Sequence, residues 1–367
     1  MQYDSEGFLY PEIAETLCTH CNLCEKICPI LQVTTLQLPE HDIAVYAGYT
    51  KNTKKLIRSS SGGAATELSE SIIKQGGVVV GVRYTKNFRA AEYTIATTLD
   101  ELKTFQGSKY IQARKGRVYA QISDLLQTDT PVLFIGLPCE VGALKSYLRK
   151  EYANLYTVEL ICHGPTSERV AQEYLQTLEE ENKSDIIDFS VRYKKDGAWT
   201  PPYLYAKFAS EKIYCKPFYD TEYGYAFSHL SRPSCSHCVY KGRNTVADIT
   251  IGDYWGCTEK DPFWNASGVS VIFVHTDKGS LLLRDLEDFT CVKTTYEQAS
   301  SGNPLKSRPV TPSARRRTFS TYLQEHGLRY AYLHTTSPSS RIKKQIMRNI
   351  SPQIKELVQS VYHHLRK

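Results

Sequence analysis

The stretch Pro131-Val-Leu-Phe-Ile-Gly136-Leu-Pro-Cys139 decides the fold that we expect for this chain of 367 residues. Its apolar run at 131–136 predicts a buried strand, and Leu-Pro-Cys139 forms the turn that follows. The next residues, 140–148, have the pattern of a helix. A strand that passes directly into a helix is the repeating unit of α/β proteins.

The same unit recurs elsewhere in the chain. Residues 186–230 are rich in aromatic residues and are expected to be β-rich. Further strands are expected at 43–49, 78–84, 155–161 and 270–276, and further helices at 64–74, at 167–181 and from Ser280. The sequence therefore predicts an α/β fold with α+β elements, in which a mixed or parallel sheet forms the body.

Two cysteines occupy equivalent places in these units. Cys139 follows the strand at 131–136, and Cys162 follows the strand at 155–161, each just before a helix. In an open α/β sheet this edge is where ligands bind, and a helix N-terminus favours the thiolate that ligates metal. We therefore expect both thiols at one ligand-binding edge.

A run of cysteines near the N-terminus, Cys18-Thr-His-Cys21-Asn-Leu-Cys24-Glu-Lys-Ile-Cys28-Pro29, has the spacing of the bacterial-ferredoxin loop that binds a 4Fe–4S cluster. In such loops the fourth cysteine, followed by proline, normally reaches toward a second cluster. The alternatives are a zinc knuckle or a disulfide knot, but zinc sites usually combine two separated C-x-x-C pairs. The spacing therefore predicts an iron–sulfur site made by these four cysteines.

Residues 1–40 are expected to form a small ferredoxin-like unit. The segment Asp4-Ser-Glu-Gly7-Phe-Leu-Tyr-Pro11 resembles the connector between the two cluster loops of a two-cluster ferredoxin, but the first loop does not precede it. Either Cys28 or a cysteine from elsewhere then completes the site, or the start codon is misassigned. Beyond this unit we divide the chain into 41–125, 126–300 and a basic helical tail at 301–367.

A second site of four cysteines is expected in the body. Cys235 and Cys238 form a C-x-x-C pair, which is typical of a metal half-site or a redox dithiol. Together with Cys139 and Cys162 they can hold a second 4Fe–4S cluster, although tetrahedral zinc fits the same ligands. The three remaining cysteines are expected to be structural thiols; they are Cys215, Cys257 and Cys291. If one of them has another role, Cys257 is the first candidate.

Serines and glycines precede the helix expected at 64–74, in the sequence Arg58-Ser-Ser-Ser-Gly62-Gly63. Free backbone N–H groups at a helix start can bind an anion such as a phosphate or a flavin pyrophosphate. The spacing is neither a Walker nor a Rossmann fingerprint. The alternative is a simple cap and turn without a ligand.

Composition and cysteine content favour a cytoplasmic protein. With 41% hydrophobic and 23% charged residues the chain is typical of soluble globular proteins, and no apolar run approaches the ~20 residues that span a bilayer. The N-terminus lacks the features of a secretory signal. Eleven cysteines in a reducing compartment indicate metal or redox chemistry rather than disulfides. Basic residues are not interleaved with the aromatic ones, so no nucleic-acid partner is expected.

Positive charge is concentrated in the tail. The net charge is +6, yet residues 301–367 alone carry thirteen Lys and Arg against two acids. Residues 340–367 place isoleucines, leucines and valines on one helical stripe with basic residues around it. The stripe is expected to dock on the body or on a partner, and contact with an anionic membrane surface is the alternative.

Several motifs together resemble the family of coenzyme F420 hydrogenase and dehydrogenase beta subunits, in the bacterial branch with an N-terminal ferredoxin unit. Any one of them is weak, but their number and order are specific. They are the N-terminal cysteine run, Ser59-Ser-Ser-Gly-Gly63, Gly107-Ser-Lys109-Tyr-Ile-Gln112, Gly136-Leu-Pro-Cys139, Ile161-Cys-His-Gly164, Arg232-Pro-Ser-Cys-Ser-His-Cys238 and Asp248-Ile-Thr-Ile-Gly-Asp-Tyr-Trp-Gly256.

The resemblance implies an iron–sulfur flavoprotein oxidoreductase. Electrons would pass between one or two 4Fe–4S clusters, FAD and a two-electron carrier or substrate, which in methanogens is the deazaflavin coenzyme. Bacterial members look associated with polysaccharide-synthesis genes. The residues expected at the flavin phosphates are Ser60, Ser61, Gly62 and Gly63, with Lys109 as the nearest cation of the motifs.

His163 is the candidate for proton transfer, because histidine titrates near neutrality; the alternative is that it only bonds its own turn. Two other functions remain open. The chain is either an electron-transfer subunit that docks on a redox partner and does no substrate chemistry, or a scaffold of glycan synthesis with zinc-binding cysteines.

Overall fold

A mixed sheet of nine strands lies at the centre of the computed structural model, which describes residues 1–28, 31, 43–242 and 244–337. Smaller sheets of two and three strands flank it. The strands are β1 (Gln2–Tyr3), β2 (Leu9–Tyr10), β3 (Ala44–Gly48), β4 (Val78–Tyr84), β5 (Ala91–Ala96), β6 (Ala113–Arg114), β7 (Val132–Gly136), β8 (Leu155–Leu160), β9 (Ile186–Tyr193), β10 (Tyr203–Phe208), β11 (Ile213–Pro217), β12 (Ile249–Asp253), β13 (Ser270–Val274) and β14 (Val292–Thr294).

Helices cover both faces of the large sheet. They are α1 (Leu23–Lys26), α2 (Thr53–Arg58), α3 (Ala64–Lys74), α4 (Leu99–Leu102), α5 (Val118–Leu125), α6 (Pro138–Leu148), α7 (Glu168–Asn182), α8 (Glu222–His229), α9 (Asp277–Arg284), α10 (Tyr296–Ser301), α11 (Pro304–Ser307), α12 (Arg316–His326) and α13 (Leu328–Thr335). None of those formed by the described residues is long and apolar enough to cross a membrane.

The order of the large sheet is β14-β3-β13-β12-β8-β7-β4-β5-β6. Its four central strands, β12, β8, β7 and β4, are mutually parallel, and antiparallel neighbours flank them on both sides. The carboxyl ends of the four central strands therefore meet at one edge, where open α/β sheets bind their ligands. The predicted α/β class with a mixed sheet is confirmed.

Alternating side chains on β7 pack into two separate cores. Val132 and Phe134 are buried against helices α5, α6 and α7, whereas Leu133 is buried against α3 and α9. Both faces of β7 are therefore buried, and this explains the unbroken hydrophobic run in its sequence.

Local patterns set several element bounds where we expected them, and others differ. Helix α9 begins at Asp277, three residues before the expected start at Ser280. The helix at 64–74 and the strand at 78–84 have the predicted bounds. Helix α6 begins two residues earlier than predicted, because Pro138 occupies its first turn and the Glu140 carboxylate accepts the amide of Leu137 at 3.0 Å. The expectation that residues 186–230 are β-rich fails after β11, where 222–229 form α8. There the Thr221 hydroxyl accepts the Gly224 amide at 3.0 Å and caps the helix.

The N-terminal segment is fixed to the body by polar contacts. The Gln112 side chain exchanges hydrogen bonds with the backbone of Leu9, at 2.7 and 3.1 Å. The Arg316 guanidinium on α12 forms an ion pair with Glu6. The predicted tail is helical in α11, α12 and α13, and the amphipathic stripe at 340–367 lies outside the described residues.

A buried carboxylate holds three chain segments together at the amino ends of the central strands. Asp248 accepts the Thr157 amide at 2.8 Å, the Thr157 hydroxyl at 2.7 Å and the Thr276 hydroxyl at 2.7 Å. Replacing Asp248 with Ala should lower the free energy of unfolding by about 2–4 kcal/mol, because it leaves buried donors without an acceptor. Urea unfolding followed by circular dichroism measures the loss. The exposed neighbour Asp277→Ala is the control, and equal losses for the two variants would contradict this role of Asp248.

Candidate functional site

A cavity of about 410 Å³ opens at the carboxyl edge of the central strands. The last residues of β7 and β8 line its floor, together with Gly252 and Asp253 at the end of β12. The segment 59–63 before α3, the segment 105–111 and the turn 161–165 form its walls. The predicted residues that line it are Ser60, Ser61, Gly63, Lys109, Cys162 and His163.

The segment 59–63 is called here the serine loop, and hydrogen bonds fix the positions of its hydroxyl and carbonyl groups. The Ser61 hydroxyl donates to the Val269 carbonyl at 2.7 Å, and the hydroxyls of Ser60 and Ser108 lie 2.9 Å apart. The backbone carbonyls of Ser60 and Ser61 each accept a hydrogen bond from a buried cation. None of the described residues accepts a hydrogen bond from the amide N–H of Ser60, Ser61 or Gly62. These amides are therefore available to an anionic ligand.

The two glycines of the serine loop meet different constraints. Gly63 has a φ of 87° as the residue that caps α3, a left-handed conformation that favours glycine. Gly62 packs against the backbone of two strands, and a Cβ there would lie 2.3 Å from the Gly48 oxygen and 2.5 Å from the Ser270 nitrogen. The Cα of Gly62 therefore packs against the two strands, and its carbonyl accepts the Thr50 amide at 2.7 Å. Its amide N–H is the group left for a ligand.

A further part of the site is built from residues that the sequence patterns did not assign to it. The Arg192 guanidinium donates to Asp253 at 2.9 Å, and the indole of Trp199 donates to the same carboxylate oxygen at 3.0 Å. Trp199 stacks on Trp255 with ring centroids 4.7 Å apart. Asp253 and Trp255 belong to a motif quoted above, but Arg192 lies on another sheet, so no local pattern connects it with the cavity.

Lys109 has a defined position next to the serine loop. Its ammonium donates to the backbone carbonyls of residues 104–107 at 2.9–3.1 Å. Burial lowers the pKa of Lys109 to about 7. The side chain thus holds the turn after α4 while its charge lies beside the cavity.

His163 lies in the turn after β8. Its Nδ1 is 3.4 Å from the Gly164 carbonyl, a long and weak contact, and its ring packs on Phe227 with centroids 4.6 Å apart. Burial lowers the pKa of His163. The imidazole lines the cavity beside Cys162.

The four cysteines predicted for the second site lie in one neighbourhood and are called here the body cysteines: Cys139, Cys162, Cys235 and Cys238. Burial raises the pKa of the Cys139 thiol, and the thiols of Cys162 and Cys238 raise it further. Burial also raises the pKa of Cys162 to about 12, and Cys235 adds to this rise. A Cβ on Gly164 would be 3.1 Å from the Cys235 sulfur, which shows how closely the 162–165 turn packs on the C-x-x-C segment. All four thiols are half-buried and none forms a disulfide.

Four half-buried thiols without disulfide partners are a donor set that a metal cluster or a zinc ion can use. The donor set of four neighbouring thiols fits a cluster.

The N-terminal cysteines divide into two groups. Cys18, Cys21 and Cys24 are exposed, whereas Cys28 is half-buried. Burial raises the pKa of Tyr240, and Cys139, Cys238 and Cys28 each raise it further. Cys28 and two of the body cysteines therefore share Tyr240 as a neighbour.

One residue belongs to both parts of the site. Cys162 is a member of the group of body cysteines and also lines the cavity. The cavity and the group of thiols therefore adjoin at Cys162.

Comparison with known proteins adds to this geometry. Residues 45–115 match the description "Coenzyme F420 hydrogenase/dehydrogenase, beta subunit N-term", and residues 129–299 match the corresponding C terminus. A subunit of the F(420)H(2) dehydrogenase of Methanosarcina mazei is 21% identical over 320 residues, which cover 73% of this chain and 83% of the relative.

A solved structure, the F420-reducing NiFe hydrogenase complex from Methanosarcina barkeri, contains a chain that is 15% identical with a TM-score of 0.49. The match covers 82% of this chain and 92% of that one. The two family matches together span most of the chain and include the serine loop, most residues that line the cavity, and the body cysteines. The chain belongs to the family of coenzyme F420 hydrogenase/dehydrogenase beta subunits, which are components of oxidoreductases.

Proposed function

We propose that this protein is an iron–sulfur flavoprotein oxidoreductase, in which FAD binds in the cavity and the body cysteines hold a 4Fe–4S cluster. The observation that supports this most is that one cavity combines an amide-rich loop with Cys162. A flavin exchanges two electrons as hydride and passes them on singly, and a neighbouring cluster accepts single electrons.

The body thiols would bind the cluster as thiolates. Their raised pKa values follow first from burial, and bound iron removes this penalty by coordinating the thiolate directly. Lys241 supports the turn from outside, because its ammonium donates to the Cys162 carbonyl at 2.8 Å. The chain thus presents Cys162 in a fixed position.

The cavity offers separate surfaces for the two ends of a flavin nucleotide. The serine loop has free amides for phosphate oxygens. Aromatic side chains such as Phe105, Phe227 and Trp255 line the remaining volume and offer apolar surface to a flavin ring. His163 stays the candidate for proton transfer because its imidazole lines the cavity beside Cys162.

The N-terminal cysteine run would hold a second cluster at the surface. Because Cys18, Cys21 and Cys24 are exposed, this cluster would be the point where electrons enter from or leave to a redox partner or a small carrier. The curated relative is named as a subunit of a dehydrogenase, which supports a partner protein. We also propose a cytoplasmic location, where free thiols persist.

An electron-transfer subunit without substrate chemistry of its own is the second candidate. The same name supports it, because a subunit can leave the substrate chemistry to another chain. In that case the cavity would bind no flavin, and the two cysteine sites alone would carry electrons. Flavin content therefore separates the two candidates.

The test is anaerobic purification followed by iron, sulfide, zinc and released-flavin assays on the same sample. We expect about eight iron atoms with matching sulfide and about one FAD per chain. Clusters without flavin would support the electron-transfer subunit. Zinc without iron or flavin would support a scaffold protein and overturn the redox proposal.

A further inference from the structure

Two buried cations donate to the backbone carbonyls of the serine loop, and of the two only Arg192 lines the cavity. Arg192 at the end of β9 and Lys194 just after it are 6% and 3% exposed. Buried cations are rare unless they are paired with a carboxylate. Arg192 has such a partner in Asp253. Within the described part of the chain no carboxylate lies within ion-pair distance of Lys194, whose ammonium donates instead to two backbone carbonyls, Leu56 at 2.6 Å and Ser61 at 2.8 Å.

The contacts of these cations fix the orientation of two successive peptide units. Arg192 donates to the Ser60 carbonyl at 2.7 Å, and Lys194 donates to the Ser61 carbonyl. In a planar trans peptide the N–H points opposite to the C=O. The N–H groups of Ser61 and Gly62, which belong to these two units, must therefore point away from β9. They are the amides that lack an acceptor among the described residues.

Among the described residues, only one of the two positive charges is balanced by a neighbouring carboxylate. Asp253 compensates Arg192, but the charge of Lys194 has no carboxylate beside it in the described part of the chain. Burial, followed by the repulsion from Arg192, lowers the pKa of Lys194 to about 7, whereas Asp253 acts in the opposite direction. An anion on the far side of the loop would offset this repulsion and stabilise the ammonium.

We propose that Arg192 and Lys194 are positioning residues for the phosphate groups of the ligand in the cavity. They hold the carbonyls of Ser60 and Ser61 toward β9, so that the amides that follow are presented to a phosphate. Lys194, which does not line the cavity, acts only through the loop. The inference rests on the proposed flavin function and adds the residues that make the site prefer a phosphorylated flavin over the bare ring system.

The test compares FAD with riboflavin, which carries the same ring without phosphates. Dissociation constants are measured by flavin fluorescence on the full chain after removal of bound flavin. Lys194→Met should weaken FAD binding about 10–100-fold, the loss expected when one loop amide no longer reaches a phosphate oxygen, and should change riboflavin binding less than about 3-fold. Lys207→Met on the adjacent strand β10, whose ammonium pairs with Glu211, is the matched control and should change neither.

A second, milder variant keeps the inference testable if the first does not fold. Lys194→Gln retains an N–H donor and removes the charge, and it should lower FAD affinity about 3–10-fold with riboflavin unchanged. Equal losses of affinity for FAD and riboflavin in the variants would overturn the positioning role, and so would variants that lose affinity for neither. A wild-type protein that binds FAD and riboflavin equally well would overturn it too. A wild-type protein that binds no flavin would instead show that the proposed flavin function is wrong, and the inference would fall with it.

Discussion

Replacing Cys139 with serine is expected to remove about four of the iron atoms bound per chain, together with the matching sulfide, while bound flavin is retained. Cys139 lies in the first turn of α6 among the other body thiols, so its loss opens one corner of the cluster site. A serine hydroxyl is a far weaker ligand for iron than a thiolate. Flavin should remain because Cys139, unlike Cys162, does not line the cavity.

Iron, sulfide and flavin assays on anaerobically purified protein measure this result. Cys215→Ser on β11, which replaces another half-buried free thiol, is the control and should keep all the iron. Cys18→Ser should remove the other half of the iron and so assign it to the N-terminal site. A Cys139→Ser protein with full iron content would mean that the body thiols do not hold a cluster.

The sequence was sufficient to predict that Cys139 and Cys162 lie close together, because their positions follow from the strands that precede them. Cys139 and Cys162 each follow a buried apolar strand, and parallel strands end at the same edge of a sheet. The structure brings these two together with Cys235 and Cys238. The body strands and helix α3 could be predicted for the same reason, since their hydrophobic periodicity is local.

The place of Arg192 at the cavity could not be predicted in this way. Arg192 is on β9 of the three-stranded sheet, and its contacts to Ser60 and Asp253 span 132 and 61 residues of sequence. Nothing in the alternation of β9 distinguishes a buried arginine from an exposed one. The partners of Lys109 are also invisible in the sequence, because they are backbone carbonyls that only the folded turn brings together.

The largest expected effect on flavin binding comes from Gly62→Ala. The new methyl group would lie 2.3 Å from the Gly48 oxygen and 2.5 Å from the Ser270 nitrogen, far inside van der Waals contact. These atoms belong to a paired position of β3 and β13, so they cannot move without breaking the sheet. The serine loop must shift instead, and its amides lose their position. We expect FAD affinity to fall about 100-fold, the loss of one or two charge-assisted hydrogen bonds.

Gly76→Ala, just beyond the other end of α3, separates this effect from general destabilisation. Gly76 has a φ of 77°, so alanine there costs about 1 kcal/mol of backbone strain, but a Cβ meets no atom within 4 Å. Both variants are compared by thermal unfolding and by FAD titration. If the loop binds phosphate, only Gly62→Ala loses affinity, although both lose stability. Equal affinity in the two variants would mean that the flavin, if bound, does not use the serine loop.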